Sequence, residues 1–225
     1  MSNQSLISVE IKNLMQDNVW PYLIVDNEYL RGQLLETDLA NAAIRNGKEA
    51  ARLVRKRYPK QTAAEIAYAL GVKVEQSRER AQIGWRHRRA IYQRYPPQIL
   101  IFMEGVLQLS RLAVEFDLTE LVSQDAIIEV IIAHELLHHL EPELMPNLKR
   151  QYRIKWLAIG SFTLYREIYA LREIAAHTFS KEICELSISP AVLDLLTINN
   201  SKHRLSNLFK EVRKVQASMS SSKAS

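Results

Sequence analysis

The segment Asp125-Ala126-Ile127-Ile128-Glu129-Val130-Ile131-Ile132-Ala133 is apolar, contains neither Pro nor Gly, and runs directly into His134-Glu135-Leu136-Leu137-His138. Ser123 and Asp125 suit an N-cap and a first turn, while Pro142 and Pro146 end the pattern after Glu141, which predicts a helix of about 17 residues. A helix this apolar must be covered by other elements, so the segment sets the centre of whatever fold the chain adopts.

The polar end of that helix is a candidate site. Side chains four apart lie on one helical face, so His134 and His138 can present ring nitrogens to a single metal ion. Glu135 sits between them and is placed to act as general base toward an attacking water. Zinc is the metal that suits this donor set, because it lowers the pKa of a water it binds to about 7. His139 points about 100° away on the helix and is not expected to be a ligand.

A catalytic zinc site takes three protein ligands and leaves one position open. Glu141 lies too close along the same rigid helix to complete the set comfortably. A second helix offers Glu173-Ile174-Ala175-Ala176-His177, in which Glu173 and His177 share a face beside two small residues. Small side chains there would allow close approach to the motif helix. Glu173 is therefore the expected third ligand, with Glu167 as the fallback. His177 is expected either to contact a ligand or to stabilise the oxyanion of an attacked carbonyl. Without the motif, Glu173 would read as an exposed carboxylate paired with Arg172 or Arg166.

The rest of the chain bounds the setting. At 225 residues and 47% hydrophobic it can bury a sizeable core. The only cysteine is Cys184, so no internal disulfide or cysteine-rich zinc module is expected, which fits a reducing cytoplasm. Residues 1–10 lack a basic stretch followed by a long apolar one, so a signal peptide is not expected. Trp156 to Tyr165 is too short to span a bilayer, and reads as a core helix; no membrane partner is expected. The net charge of +5 favours acidic partners. Its cations cluster at Lys48, Arg52, Arg55, Lys56 and Arg57, at Arg78 to Arg94, and at Lys202 to Lys214. These read first as solvated faces, with contact to DNA as the other possibility.

The predicted organisation is α+β. A helical extension over residues 1–60 includes a helix from Asp38 to Tyr58, with breaks at Trp20-Pro21 and Arg31-Gly32. A zincin-like domain over 61–190 opens on the capping box Thr62-Ala63-Ala64-Glu65 and a helix ending at Gly71. Short strands near 72–75, 82–85, 90–95 and 98–103 form a small antiparallel sheet. A helix from Glu104 to Phe116 precedes the motif helix, and 147–183 is mostly helical with a break near Gly160. A helical segment over 191–216 follows, with a turn at 192–196, a helix from Leu205 to Val215, and a disordered tail from Ala217 to Ser225.

Two sets of residues together, His134-Glu135-Leu136-Leu137-His138 and Glu173-Ile174-Ala175-Ala176-His177-Thr178-Phe179, resemble the ImmA/IrrE family of zinc metallopeptidase-like proteins. Leu70-Gly71-Val72-Lys73-Val74 ahead of the strands is also similar, and the resemblance covers about residues 60–190. It implies a zincin-like fold with His134, His138 and Glu173 as ligands and Glu135 as catalytic base. It further implies regulatory cleavage of a protein such as a transcriptional repressor. The chain departs from that pattern at His177, where the family often has Asn or Asp, and at Ile183-Cys184-Glu185-Leu186.

The expected activity is zinc-dependent peptide-bond hydrolysis, with a protein or peptide substrate added as a strand along the sheet edge Gln98 to Met103. The alternative is a non-catalytic regulatory protein whose zinc site is structural and whose basic surface contacts DNA or a repressor. A further reading is a SprT-like protease, which shares the motif and basic charge but generally takes a third histidine, here His177 or His203.

Overall fold

The computed structural model describes residues 11, 14, 19–25, 28–79, 82–83, 86–87, 89–121, 123–160, 162–198 and 202–222. In chain order these form α1 (Trp20–Leu23), α2 (Glu28–Leu35), α3 (Leu39–Arg57), α4 (Ala63–Ala69), β1 (Lys73–Ser77), β2 (Gln82–Ile83), β3 (Arg86–His87), β4 (Ala90–Gln93) and β5 (Gln98–Phe102). There follow α5 (Met103–Glu115), a 3-10 turn (Thr119–Leu121), α6 (Gln124–Leu144), α7 (Leu148–Gln151), β6 (Arg153–Ile159), β7 (Phe162–Glu167), α8 (Ala170–Ile183), α9 (Ala191–Ile198) and α10 (Lys202–Ser222). The class is α+β, mostly helical with a small sheet, and one hydrophobic cluster runs from Ile11 to Val215.

The motif helix α6 begins as its sequence dictates. Ser123 Oγ accepts the Ala126 N–H at 3.1 Å, a cap contributing about 1 kcal/mol. Its end differs from expectation: the helix passes through Pro142 and stops at Leu144. Pro142 lacks only the N–H that would bond the His138 carbonyl, and buried Glu141 keeps helical geometry before it. The stop comes at Met145, which leaves helical geometry ahead of Pro146, where the proline ring disfavours it. The Thr62 capping box forms as expected, with both reciprocal bonds, and Gly71 takes the left-handed conformation just past α4. Glu129 on α6 accepts the Ala63 N–H at 2.6 Å, tying α4 to the motif helix.

The sheet has the order β1-β5-β4, and it is mixed rather than antiparallel. β1 runs parallel to β5, with Lys73 opposite Gln98, and β4 runs antiparallel to β5, with Ile91 opposite Leu100. The parallel pair is possible because the chain between β1 and β5 includes β4, long enough for a crossover that a tight hairpin forbids. β2 and β3 pair separately. Among the described strands β5 is central, so Gln98 to Met103 is not the edge expected from sequence; β1 and β4 are the edges.

Residues 153–167 overturn the helical reading of 147–183. β6 and β7 make an antiparallel hairpin, with Ile159 opposite Phe162 and Gly160 at a φ of 59° in the reversal. Runs such as Ile-Lys-Trp-Leu-Ala-Ile and Phe-Thr-Leu-Tyr are rich in β-branched and aromatic residues, and the Gly between them is a reversal signal rather than a helix break. Trp156 to Tyr165 is consequently not a core helix.

Two further boundaries move. Pro21 sits in the first turn of α1 and Gly32 inside α2, so neither breaks an element as expected. At the other end, α10 stays helical to Ser222, against the expected disorder from Ala217; residues 223–225 lie outside the described residues. Val212 and Val215 are buried, so this helix lays an apolar stripe on the core.

Helix α8, which carries Glu173 and His177, is positioned by α3 as much as by α6. A Cβ on Gly47 of α3 would lie 2.4 Å from the Ala175 carbonyl oxygen and 2.8 Å from Thr178 Cβ. The small residues of α8 thus admit α3, while Ala43, Ala50 and Ala51 keep the rest of that interface thin. Arg55 reinforces the contact by donating to the carbonyls of Gln61 and Ile183, the second at the C-terminal end of α8. Segment 1–60 therefore helps to set the position of the candidate site.

Candidate metal centre

The His134, His138 and Glu173 side chains meet, each offering a ligand atom within 4.8 Å of the others, and this cluster could hold a metal ion. His134 Nε2 lies 3.3 Å from Glu173 Oε2, and His138 Nε2 lies 3.6 Å from Glu173 Oε1. Bonds of about 2.0–2.1 Å in tetrahedral geometry place ligand atoms about 3.3–3.4 Å apart, so two imidazole nitrogens and a carboxylate at these distances can share one metal ion. His139 points elsewhere, as expected, with Nδ1 2.7 Å from the Tyr92 hydroxyl. Glu167 is not part of this group and stands opposite Arg153 at the base of the hairpin.

The partner that orients His138 is Glu141. Its Oε1 is 2.9 Å from His138 Nδ1; a carboxylate only accepts, so Nδ1 carries a proton and Nε2 is the nitrogen that faces Glu173 and the site. Arg172 in turn holds Glu141, donating from Nε at 3.2 Å and from its second terminal nitrogen. Burial opposes ionisation of Glu141, but the hydrogen bonds from His138 and Arg172 outweigh it and keep its pKa below the usual carboxylate range.

The charges around the site are mutually dependent. Burial opposes the charged form of Glu173, yet the hydrogen bond and charge of His134, with the charge of His138, hold its pKa at about 2. Burial likewise works against charge on His138, and the Glu141 hydrogen bond with the nearby carboxylates of Glu173 and Glu135 raises its pKa.

His177 is 5% exposed and packs its ring against His134, with centroids 4.6 Å apart. Its Nε2 lies 3.4 Å from Asp194 Oδ2 on α9, and its Nδ1 is buried without a hydrogen-bond partner. Trp20 of α1 closes the far side edge-on at 6.0 Å. Burial, with the charge of His134, pushes the His177 pKa well down, so the ring is neutral. Asp194 also pairs with Arg89, whose pKa burial lowers to about 10, leaving it cationic at neutral pH.

These residues open onto a cavity of about 940 Å³. Glu135 lines it beside the histidines, and so do Tyr169, Arg172 and the β4 residues Ala90, Ile91 and Tyr92. Tyr169 lies close enough to the carboxylates that burial and then the charge of Glu173 raise its pKa, keeping the phenol protonated.

Sequence reasoning missed Glu141 as a partner rather than a ligand, along with Arg172, Tyr169 and Asp194. Glu141 had a signal, three residues after His138 on one face; Tyr169, Arg172 and Glu173 share a face in the same way. Asp194 had none, since only the packing of α9 brings it to His177.

Elsewhere, much of the basic residues' charge is already compensated. Arg52 pairs with Glu49, Arg57 with Glu143 and Lys214 with Glu211. Arg80 and Arg88 lie outside the described residues. No helix among the described residues is long and apolar enough to cross a membrane.

Comparison with protein families, curated proteins and solved structures returned no match. The functional reading rests on these side chains alone.

Proposed function

We propose that this chain is a zinc-dependent peptidase of zincin-like architecture, with His134, His138 and Glu173 as ligands. The observation that carries the reading is the approach of one carboxylate, Glu173, to both motif histidines at the wall of a cavity that Glu135 also lines. Zinc held there would supply Lewis acidity toward a carbonyl oxygen and lower the pKa of water. Glu135 takes a proton from the attacking water and returns it to the leaving amine.

An extended substrate adds to β4, whose outer edge carries no strand among the described residues and whose residues line the cavity. Tyr169 is the oxyanion donor in this reading, because its phenol keeps its proton beside Glu173. His177 directs Nε2 at Asp194 and packs on His134, which suits orienting that ligand better than donating to substrate. A purely structural zinc site, the rival reading, has no use for Glu135 in the cavity wall.

The test combines metal analysis with hydrolysis of a quenched-fluorescence peptide library. The wild-type protein is expected to hold one zinc and cleave. Glu135→Gln should keep the zinc and lose cleavage, and Glu173→Ala should lose both. Stoichiometric zinc with cleavage undiminished in Glu135→Gln would overturn the mechanism, and full zinc occupancy in Glu173→Ala would overturn the ligand set.

A further inference from the structure

Among the described side chains of the β6–β7 hairpin, almost none is buried. Every residue from Phe162 to Arg166 is exposed, and in β6 Ile154 is buried at the base while Arg153, Lys155, Leu157 and Ile159 are exposed. Its cross-strand pairs are ordered by chemistry. Ile159 faces Phe162 next to the reversal, and Leu157 faces Leu164 one step further in. Positions two apart along a strand share a face, so these four form one apolar patch, 67%, 78%, 43% and 55% exposed. Lys155 opposite Tyr165 comes next, followed by Arg166 opposite Ile154, and Arg153 opposite Glu167 at the base.

Charge follows the same gradient. Residues 149–167 contain Lys149, Arg150, Arg153, Lys155 and Arg166 against the single carboxylate Glu167, a net +4 in a chain of net +5. A two-stranded hairpin gains little stability from its own contacts in water, and the face that carries Leu157, Ile159, Phe162 and Leu164 is exposed. The apolar patch belongs against something.

We propose that the hairpin tip is a wedge that enters the interface of an anionic lipid bilayer. At about 3.3 Å per residue the patch reaches about 7 Å from the reversal, within the roughly 5–10 Å by which interfacial segments bury their apolar face. Lys155, Arg166 and Arg153 then fall about 13–20 Å from the tip, at headgroup depth, where each Lys or Arg is attracted to anionic lipid. Tyr165, between patch and cations, has the amphipathic ring that favours this boundary. Charge selects this occupant over a second copy of the chain, because joining two hairpins at their patches would bring two +4 segments together. The segment too short to span a bilayer is long enough to dip into one.

The experiment is co-sedimentation of the full chain with vesicles of phosphatidylcholine, with and without phosphatidylserine. Binding only to the phosphatidylserine vesicles is expected. The double variant Phe162→Ser/Leu164→Thr, which leaves charge unchanged, should weaken binding by at least about tenfold. Arg153→Gln/Lys155→Gln should weaken it by about fivefold per cation removed. Zinc content and the melting profile of both variants should stay at wild-type values, since all four positions are exposed. Failure of the wild type to sediment with anionic vesicles overturns the proposal. So does undiminished binding by the Phe162→Ser/Leu164→Thr protein, which would reduce the contact to surface charge. A concentration-dependent dimer abolished by that variant would assign the patch to self-association instead.

Discussion

His138 Nδ1 donates to Glu141 Oε1 at 2.9 Å, and the two residues lie three apart on one buried helix. The bond fixes the tautomer of a candidate ligand from within its own element, and Arg172 fixes Glu141 from α8. The helix bearing the two histidines and the helix bearing the third ligand are thus joined just behind the site.

Glu141→Gln removes the negative charge that His138 and Arg172 share. Zinc affinity should fall by about 10–100-fold, the usual cost of losing a ligand's hydrogen-bond partner. Competition against a chromogenic chelator measures this, with Glu143→Gln, on the exposed side of α6, as the unaffected control.

The metal-free protein should show two opposed pH dependences. Glu173 and Glu141 ionise below the ordinary value of 4.5, so their contribution is complete above 4.5 and is lost as pH falls, for Glu173 toward about 2. His138 titrates above its ordinary 6.5, so its contribution is complete below 6.5 and is lost as pH rises through the raised value. His177, held well below its ordinary 6.5 by burial, adds a loss as pH falls below 6.5, so the melting temperature of chelator-treated protein should peak near about 6.5 and fall on both sides. Added zinc should erase the alkaline loss, because its binding requires neutral imidazole.

Gly47→Ala places a methyl against the Ala175 carbonyl oxygen and Thr178 Cβ. The overpacking costs about 1–3 kcal/mol, against up to about 1 kcal/mol gained in helix propensity. A net loss of about 1–2 kcal/mol in chemical denaturation is expected. Zinc affinity should fall with it, because the displaced helix carries Glu173.

Tyr169→Phe keeps the ring beneath Arg172 and deletes only the hydroxyl. If that hydroxyl meets the oxyanion, kcat should drop by about 10²–10³ with KM nearly unchanged. Steady-state kinetics on a cleaved library peptide separate this from a binding defect, which would raise KM alone.

Several local features form as the sequence predicts. The Ser123 cap, the Thr62 capping box and the pairing of His134 with His138 all depend on residues three or four apart, where chain geometry leaves little choice. Residues 153–167 misled because an apolar run gives no clear period, and only Gly160 hinted at a reversal. The sheet edge misled for a different reason: which strand is central depends on pairing between residues far apart in the chain.

From the sequence alone came the motif helix, the facing histidines with Glu135 between them, and Glu173 on a second helix with small neighbours. Only the tertiary structure decided that Glu173 approaches both histidines, that α3 rather than α6 fills the groove beside Ala175, and that Asp194 reaches His177. It also decided that β4 is the edge beside the cavity and that the hairpin carries its apolar tip into solvent. The division is physical. Spacing along a helix is set by bonds within a few residues, whereas a ligand's approach, a free edge and an uncovered face are set by which distant surfaces pack together.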